Sequence, residues 1–332
     1  MNVFVTGHKG YIGVHLVNLL KQQGHAVTGC DLSLFEGCEW ESYAQADIEL
    51  IKDVRTLTVS DLRGYDCVMH LAAISNDPMG DLNPEITYSI NRDGSVRLAK
   101  IAREAGVPRF LFSSSCSIYG NGEKLDLDET DPLNPITAYA TSKIEAEKAI
   151  SQFADDAFCP VYLRNSTAYG HSPMLRIDLV VNNLLACAVA RGDIRIMSDG
   201  SPWRPLIHCK DIARAFIAFM EAPRSAIFNK AINVGANSEN YQVKDVGNKV
   251  KALLPAATIV YTGEVGADPR NYRVNFDLLY QLLPGFRLEY DLSKGMDELF
   301  TKFREHNFST ADFEGDQFVR FRTLKKRLDL IN

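Results

Sequence analysis

The sequence lacks the features of several large protein classes. No apolar run approaches the about 18 residues that a membrane-spanning helix needs, and the first residues predict a β-strand instead of a signal peptide. The net charge is −6, and the one basic block is Lys325-Lys326-Arg327, which argues against nucleic-acid binding. No internal repeat or low-complexity stretch occurs. We therefore expect a soluble globular protein without nucleic-acid or membrane partners.

Paired cysteines are also absent. The seven cysteines are scattered without a C-x-x-C pair, at Cys30, Cys38, Cys67, Cys116, Cys159, Cys187 and Cys209. This pattern predicts a reduced, cytoplasmic protein and argues against a disulfide framework or a zinc site, so we expect no metal. With 332 residues and 46% hydrophobic content, the chain can bury a large core and has room for two lobes.

The sequence opens with the pattern of a nucleotide-binding turn. A short apolar run, Asn2–Thr6, is followed by Gly7, Gly10 and Gly13 in G-x-x-G-x-x-G spacing, and Val14–Gln23 continues with helical periodicity. Glycines allow the backbone to turn tightly and to approach a pyrophosphate, which binds at the positive N-terminus of the helix. This strand, turn and helix predict a dinucleotide site.

An acidic residue follows at the expected distance. The second predicted strand ends at Asp31, and a carboxylate about 20 residues after the glycine turn is placed to accept hydrogen bonds from a ribose 2′-hydroxyl. A negative charge at this point repels a 2′-phosphate. Asp31 therefore favours NAD over NADP.

Strand and helix patterns alternate through the first half of the chain, which predicts a parallel, doubly wound sheet. The predicted strands are 2–6, 26–30, 43–47, 66–71, 109–115 and 159–164, and the predicted helices are 10–23, 84–105 and 137–154. Beyond Tyr169 the rhythm loosens, with helices predicted near 176–191, 210–221 and 242–253 and short strands at 194–196 and 232–234. The fold class is α/β. We expect a Rossmann-type domain over 1–170, to which some later segments return, and a smaller C-terminal α/β substrate lobe with a tail over 171–332.

Tyr139 and Lys143 carry the strongest chemical signal. They lie four residues apart on a predicted helix, so their side chains project from the same face. A free tyrosine has a pKa near 10 and is a poor base at neutral pH, but a neighbouring ammonium group favours the phenolate. The pair predicts a tyrosine that acts as an acid and base.

Further motifs support a family resemblance. They are Asp47-Ile48 after the predicted third strand, His70-Leu71-Ala72-Ala73 after the fourth, Asn91 in the next helix, the serine-rich strand end Phe112–Gly120, Leu163-Arg164 and Tyr169-Gly170. With the glycine turn and the Tyr-Lys pair, the chain from Asn2 to about Arg273 resembles the extended short-chain dehydrogenase/reductase family of nucleotide-sugar epimerases, dehydratases and 4-ketoreductases. His8 departs from the family pattern, which often has glycine there.

The resemblance implies a role for each motif. Tyr139 would be the acid/base, Lys143 would lower its pKa and bind the nicotinamide ribose, and Ser115 would donate a hydrogen bond to the reacting oxygen. Asp47 would bind the adenine amine. The full set of implied NAD-binding residues is Gly7, Gly10, Tyr11, Ile12, Gly13, Asp31, Asp47, Ile48, Leu71, Ala72, Ala73, Asn91, Ser113, Tyr139 and Lys143. His70 is expected to be a hydrogen-bonded core residue.

The resemblance also implies a substrate with a diphosphate. Arg204, in Trp203-Arg204-Pro205, and Arg270, in Asp268-Pro269-Arg270, match segments whose arginines contact the phosphates of a sugar nucleotide. Thr167 stands where many relatives have a substrate-contacting asparagine. The family's helix pairs across a two-fold axis correspond to 84–105 and 137–154, whose surplus of apolar residues predicts a homodimer.

The two residues that follow Ser115, Cys116 and Ser117, distinguish between the possible reactions. The 4,6-dehydratases carry an Asp-Glu pair there, whereas this chain has Cys116-Ser117, and neither is a carboxylic acid that could protonate a leaving hydroxyl. We therefore predict an NAD-dependent epimerase, acting at C4 of a nucleotide-diphosphate sugar. The alternatives are a 4-ketoreductase or dehydrogenase that releases its cofactor, and a non-catalytic dinucleotide-sensing protein. The Tyr139–Lys143 pair argues against the latter.

Overall fold

The central element of the protein is a parallel β-sheet. The computed structural model describes residues 1–75, 83–121, 125–263 and 270–329. In this part of the chain, seven strands pair in the order β3-β2-β1-β4-β5-β6-β10, and all of these pairs are parallel. The strands are β1 (Asn2–Thr6), β2 (Ala26–Asp31), β3 (Ile48–Ile51), β4 (Cys67–His70), β5 (Arg109–Ser115), β6 (Cys159–Asn165) and β10 (Ala231–Val234). The Rossmann-type fold predicted from the sequence is confirmed.

Strand order reverses between β1 and β4, because the chain first adds β2 and β3 on one side and then returns to the other. Ligands of doubly wound sheets bind outside the carboxyl ends of the strands at such a reversal. The helices that connect or flank the sheet are α1 (Gly13–Gln22), α2 (Pro84–Thr87), α3 (Ser95–Glu104), α4 (Ala138–Ser151), α6 (Cys209–Glu221) and α7 (Arg224–Ile227), and α5 (Val180–Arg191) belongs to the second half of the chain. A π-helical segment, Tyr88–Gly94, joins α2 to α3 and makes the predicted helix 84–105 continuous but irregular.

A smaller lobe is built from the second half of the chain. One of its small sheets pairs β7 (Thr167–Tyr169), β9 (Trp203–His208) and β11 (Asn240–Gln242), and the other pairs β8 (Asp193–Ile196) with β12 (Thr258–Tyr261). Its helices include α8 (Val243–Leu253), α10 (Leu292–Glu305), α11 (Thr310–Glu314) and α12 (Arg320–Asp329), whereas α9 (Asp277–Leu282) packs against the large sheet at β10. The lobe has its own apolar core, to which α5, α8 and α10 contribute.

The C-terminal segment packs on this lobe, as its aromatic residues predict. Phe308 and Phe318 are buried in the core of the smaller lobe beside Phe303 of α10. Trp40, from the segment after β2, contacts all three rings, with ring centres 5.6 to 6.2 Å apart. The tail is therefore part of the folded core and also touches the segment that follows β2.

The predicted third strand is wrong. Residues 43–47 form no strand, and β3 is Ile48–Ile51, which begins where the prediction ended and pairs with β2 from Thr28 opposite Ile48. The stretch Tyr43–Asp47 is half polar and precedes the strand as an irregular segment. This shift moves Asp47 from the carboxyl end of the third strand to its amino end.

All seven cysteines are free and buried. Among the described residues, no helix combines the length and the apolar character needed to cross a bilayer.

Candidate active site

One large cavity lies at the carboxyl ends of the sheet strands. Its volume is about 1720 Å³, above the about 300–1,000 Å³ that is usual for a single small ligand. Residues of both lobes form its walls, from the glycine turn after β1 to Arg204 of β9 and Arg270. The cavity therefore has room for a dinucleotide together with a second molecule.

The glycine turn fits a pyrophosphate. Gly7 has a φ of +72°, and a Cβ there would lie 2.7 Å from the amide nitrogen of Ala72. A Cβ on Gly13 would lie 2.2 Å from the carbonyl oxygen of Gly7, so glycine is required at both positions. The predicted residues of this turn all line the cavity, namely Gly7, Gly10, Tyr11, Ile12 and Gly13. The start of α1 thus presents its backbone amides to the cavity.

Tyr11 joins this turn to the second half of the chain. Its hydroxyl donates to the carbonyl oxygen of Gly170 at 2.6 Å and accepts from the amide of Asn182 at 3.1 Å. Burial raises the pKa of Tyr11 well above its ordinary value. Tyr11 is therefore a structural link at the cavity wall and not a proton-transfer group.

Asp31 lies at the cavity end of β2. Its carboxylate accepts from the backbone amides of Ser33 at 2.9 Å and Lys9 at 3.3 Å, which fixes its orientation. Lys9, which also lines the cavity, pairs with Glu49 at 2.8 Å. The positive charge of Lys9 is thus already compensated. This arrangement suits a ribose hydroxyl better than a 2′-phosphate.

Asp47, predicted to bind the adenine amine, and Ile48, predicted to bind NAD, are not among the residues that line the cavity, which argues against both predictions. Asp47 pairs with Lys21 at 2.8 Å and accepts from the amide of Val27, both near the amino ends of the strands. Asp53 and Val54, which follow β3, line the cavity instead. Asp53-Val54 has the same Asp-apolar pattern one strand length later, because β3 begins later than predicted.

Leu71, Ala72 and Ala73 line the cavity after β4, as the sequence predicts. Asn91 does not line it. The fully buried Asn91 amide accepts from the backbone amide of Ile74 at 2.8 Å and donates to its carbonyl oxygen at 2.9 Å. Asn91 lies in the π-helical segment and positions the loop after β4 through these two bonds. This arrangement argues against its predicted contact with NAD.

His70 is a hydrogen-bonded core residue, as expected. Its Nδ1 lies 2.6 Å from Thr6 Oγ1 and its Nε2 lies 2.8 Å from Ser95 Oγ. Burial lowers the pKa of His70 to about 3, so the ring is neutral at physiological pH. The network holds the carboxyl ends of β1 and β4 together below the glycine turn.

Helix α4 carries the Tyr-Lys pair into the cavity. Thr137 caps the helix by accepting from the amide of Ala140 at 3.2 Å, which places Tyr139 in the first turn. Lys143 is 2% exposed, its amine donates to the carbonyl oxygen of Ser113 at 2.7 Å, and it lies 5.7 Å from the centre of the Tyr139 ring. Both residues line the cavity.

The Lys143 amine is held in an apolar environment. It also lies 4.6 Å from the centre of the Phe112 ring. Burial lowers the pKa of Lys143 to about 7, although the charge of Glu147 acts in the opposite direction. A lysine with this pKa changes its charge near neutral pH, which is typical of a functional site.

The serine-rich end of β5 faces the same cavity. Ser113, Ser114, Ser115 and Ser117 all line it. Ser115 Oγ accepts from the amide of Ser117 at 3.1 Å, and this bond leaves its own proton available for donation. Cys116 is buried and its thiol donates to the carbonyl oxygen of Arg164 at 3.0 Å, and burial raises its pKa. Cys116 is therefore a wall residue and not a nucleophile.

The smaller lobe contributes Thr167, Arg204 and Arg270 to the cavity. Arg204 is 6% exposed and donates to the carbonyl oxygens of Trp203 and Arg270, and its guanidinium lies 5.9 Å from the centre of the Tyr272 ring. The two predicted arginines are thus brought together. Asp268 and Pro269, the other members of the Arg270 motif, lie outside the described residues.

Sequence reasoning missed Arg176, Asp178 and Arg320, which also line the cavity. Arg176 forms two hydrogen bonds with Asp178, at 3.0 Å each, and donates to Ser75 Oγ at 3.0 Å. Arg320 is on α12, far along the chain. No spacing rule joins these positions, so only the folded chain reveals the group. Among the described residues, no set of His, Cys, Asp and Glu side chains is arranged to hold a metal ion.

The buried Lys143 gives a prediction for the cofactor-free protein. The unfolded chain binds a proton at Lys143 up to about its ordinary pKa of 10.5, whereas the folded chain releases it above about 7. Neutral Lys143 therefore contributes its full stabilisation only above pH 10.5, the pKa in the unfolded chain. This stabilisation is lost as the pH falls towards about 7, the pKa in the folded chain. Relative to Lys143→Met, the wild-type free energy of unfolding should therefore rise by about 2 kcal/mol between pH 7 and pH 9.

Urea unfolding at several pH values measures this difference. Lys148→Met, an exposed lysine of the same helix, is the matched control and should follow the wild type. Parallel curves for the wild type and Lys143→Met would show that Lys143 keeps an ordinary pKa.

Comparisons with known proteins agree with this site. The model of the "NAD dependent epimerase/dehydratase family" matches residues 3–235, more than half of the chain. UDP-glucose 4-epimerase of Lactobacillus helveticus is 30% identical over 284 residues, which cover 76% of this chain and 82% of that protein. The structure of MoeE5 in complex with UDP-glucose and NAD is 26% identical with a TM-score of 0.78, and covers 92% of this chain and 99% of that chain.

A dehydratase shares the fold. The NAD-dependent NDP-hexosamine 5,6-dehydratase TunA has a TM-score of 0.82 at 24% identity, covering 92% of this chain and 98% of that chain. Together with the glycine turn and the Tyr139–Lys143 pair at one cavity, these similarities establish that the chain is an enzyme of the NAD-dependent epimerase/dehydratase family.

Proposed function

We propose that the protein is an NAD-dependent 4-epimerase of a nucleotide-diphosphate sugar. The observation that carries this proposal is the meeting of two sets of residues at one cavity. Ser115, Tyr139 and Lys143 come from the sheet side, and Arg204 and Arg270 come from the smaller lobe. The first set suits proton transfer at a sugar hydroxyl, and the second suits a diphosphate. We further propose that the first half of the chain binds the cofactor and the second half the substrate.

The proposed chemistry assigns one proton to Tyr139. Bound NAD would supply a reversible hydride acceptor. Tyr139 takes the proton of the C4 hydroxyl as that carbon is oxidised, and Ser115 donates a hydrogen bond to the same oxygen. The 4-keto sugar then turns in the cavity, and Tyr139 returns the proton when the carbon is reduced on its other face. Lys143 favours the phenolate of Tyr139 whenever its amine is charged.

The residues after Ser115 favour epimerisation over dehydration, and Asp31 favours it over reduction. Elimination of water needs an acid that can protonate the leaving hydroxyl. The residues after Ser115 are Cys116, whose thiol is buried against Arg164, and Ser117, whose hydroxyl does not ionise near neutral pH. The NAD preference supported by Asp31 further favours an enzyme that regenerates its cofactor in each turnover over a reductase that draws on NADPH.

A diphosphate group would give the substrate most of its binding energy. Arg204 is buried and held by two carbonyl oxygens, so its guanidinium is preorganised at the wall. Arg270 lines the same cavity, and its carbonyl oxygen is one of the two that Arg204 binds. The UDP-sugar enzymes among the relatives support a UDP-hexose as the substrate class. Thr167, with its short side chain, would leave more room beside the sugar than an asparagine.

We also propose a cytoplasmic homodimer. The seven free cysteines fit a reducing compartment. In one chain, Leu98, Ile101 and Ala102 of α3 are already buried, but Ile86 of α2 remains 46% exposed. Ile90 is half-buried and lines the cavity, and Val96 and Ile144 are half-buried against apolar clusters of the same chain. The exposed Ile86 side chain is therefore the part of this region that is available for a second copy across a two-fold axis.

The acid/base assignment predicts the effect of Tyr139→Phe. The variant should retain NAD and lose turnover of a UDP-hexose by about 10²-fold or more, because a positioned acid/base is removed. Tyr43→Phe, at another tyrosine that lines the cavity, is the matched control and should keep near-wild-type turnover. Both are measured by following 4-epimer formation and by the absorbance of dinucleotide released on heating. Near-wild-type turnover of Tyr139→Phe would exclude Tyr139 as the proton carrier.

The same absorbance measurement separates the epimerase from a ketoreductase. An epimerase returns its hydride to the substrate in each cycle, so the wild type should carry about one dinucleotide per chain without added cofactor. An empty site, with turnover that depends on added NADH, would instead support the 4-ketoreductase.

The proposed contacts of Arg204 and Arg270 with the substrate diphosphate predict that removing either arginine lowers kcat/KM. Arg204→Ala and Arg270→Ala should each cost about 1.5–3 kcal/mol in kcat/KM for a UDP-hexose, the usual contribution of a charge-assisted hydrogen bond. The free hexose should be a very poor substrate of every variant, because binding of the remote phosphates orients the reacting carbon. Equal activity on the free hexose, with either arginine dispensable, would rule out a nucleotide-sugar substrate.

The dimer predicts a mass of twice 37.0 kDa in light scattering at micromolar concentration. Ile86→Lys should shift the mass towards that of one chain, since a charge would be buried without a partner. The exposed Glu85→Lys at the neighbouring position is the control for added charge. A fully active wild type with the mass of one chain would contradict the dimer.

A further inference from the structure

The C-terminal helix α12 places one arginine in the wall of the cofactor cavity. Arg320 is 4% exposed, and its Nη2 donates to the carbonyl oxygen of Met174 at 3.0 Å. Its guanidinium stacks on Phe35, 4.4 Å from the centre of the ring. Arg320, Met174 and Phe35 all line the cavity. The tail of the chain is thus a component of the cavity wall.

The charge of Arg320 is only partly compensated within the described residues. Its Nη1 is buried and has no hydrogen-bond partner among them. The neighbouring carboxylate, Asp178, is engaged by both nitrogens of the Arg176 fork, at 3.0 Å each. Among the described residues, the guanidinium groups of Arg176 and Arg320 therefore share this one neighbouring carboxylate.

This incomplete compensation is unfavourable without a ligand. Burial and, to a smaller extent, the charge of Arg176 lower the pKa of Arg320 to about 10. The group nevertheless remains a cation at physiological pH. An uncompensated buried cation is costly, and an anion bound beside it would remove much of the penalty.

The position of Arg320 identifies the anion. Met174 and Phe35, which Arg320 contacts, pack in one cluster with Val14, in the first turn of α1. The glycine turn that leads into this helix is the part of the cavity that fits a pyrophosphate. Phe35 itself belongs to the segment that follows Asp31 and lines the cavity. These contacts connect Arg320 to the side of the cavity that the glycine turn forms.

The rest of the tail holds the same segment in place. Arg327 donates to the carbonyl oxygens of Leu34 and Glu36. Gln317 donates to the carbonyl oxygen of Glu39 at 3.2 Å, and Trp40 packs among the tail's aromatic rings. These contacts cover the segment after β2 from the outside.

We propose that Arg320 binds the diphosphate of the dinucleotide, so that α12 acts as a clasp that keeps the cofactor in its cavity. The proposal rests on the dinucleotide cofactor of the proposed function and extends it to a residue at the far end of the chain. The clasp would also explain why NAD is retained between turnovers. In this proposal, α12 must separate from the segment after β2 before the cofactor can leave.

The test uses the full chain freed of bound dinucleotide and measures the Kd for NAD, ADP and adenosine by calorimetry. Arg320→Met should weaken binding of NAD and ADP by about 10- to 100-fold, as expected for a lost charge-assisted contact, and leave adenosine binding unchanged. Arg320→Lys, which keeps the charge, should lose less. Lys325→Gln removes an exposed charge from the same helix and should bind all three ligands like the wild type.

Two further measurements separate ligand binding from a structural role. The Tm of ligand-free Arg320→Met should be equal to or higher than that of the wild type, because an unpaired buried charge is removed, while the rise in Tm on adding NAD should shrink. Equal losses of affinity for NAD, ADP and adenosine would contradict the proposal. A weaker Kd for UDP with an unchanged Kd for ADP would also overturn it, since the anion would then be that of the sugar nucleotide.

These outcomes are independent of the epimerase reaction. A wild-type protein that binds NAD but converts no UDP-hexose would refute the proposed function and leave the Kd comparison valid. Conversely, full epimerase activity with an unchanged Kd for ADP in Arg320→Met would refute the clasp alone.

Discussion

The hydrogen bond from the Lys143 amine to the carbonyl oxygen of Ser113 is the constraint around which the site is organised. It joins α4 to the carboxyl end of β5 at 2.7 Å, and so sets Tyr139 beside the serines that follow. The amine is buried against aromatic rings, where a lysine is stable only if its polar atoms are bonded or its proton is released. The same burial brings its pKa to about 7. Burial of the Lys143 amine therefore accounts both for the position of α4 on β5 and for the lowered pKa of Lys143.

Local patterns predicted the elements whose geometry depends on nearby residues. The glycine turn and the four-residue spacing of Tyr139 and Lys143 on one helix are fixed by backbone rules within a few positions. The third strand failed because Tyr43–Asp47 and Ile48–Ile51 are both short and mixed in polarity, and only pairing with β2 decides between them. The prediction therefore named Asp47, whereas Asp53 lines the cavity.

Long-range packing explains what no local pattern could predict. Arg320 and Met174, joined by a hydrogen bond, are 146 positions apart in the chain, and Asn91 serves the loop at Ile74 from a π-helical segment whose irregularity the helical periodicity conceals. The sequence alone does not distinguish Arg320 from the other basic residues of α12. Its burial follows from the aromatic rings at Trp40, Phe308 and Phe318, which bring the tail onto the segment after β2.

The central claim is that a hydrogen leaves C4 of the sugar and returns to its other face without leaving the cavity. A UDP-hexose with deuterium at C4, incubated with the purified protein in ordinary water and without added cofactor, tests it most directly. Mass spectrometry and proton NMR of the 4-epimer should show deuterium retained at C4, because the hydride is held between the two half-reactions. Replacement of that deuterium by solvent hydrogen, or no 4-epimer at all while the deuterium appears in free NADH, would contradict the account.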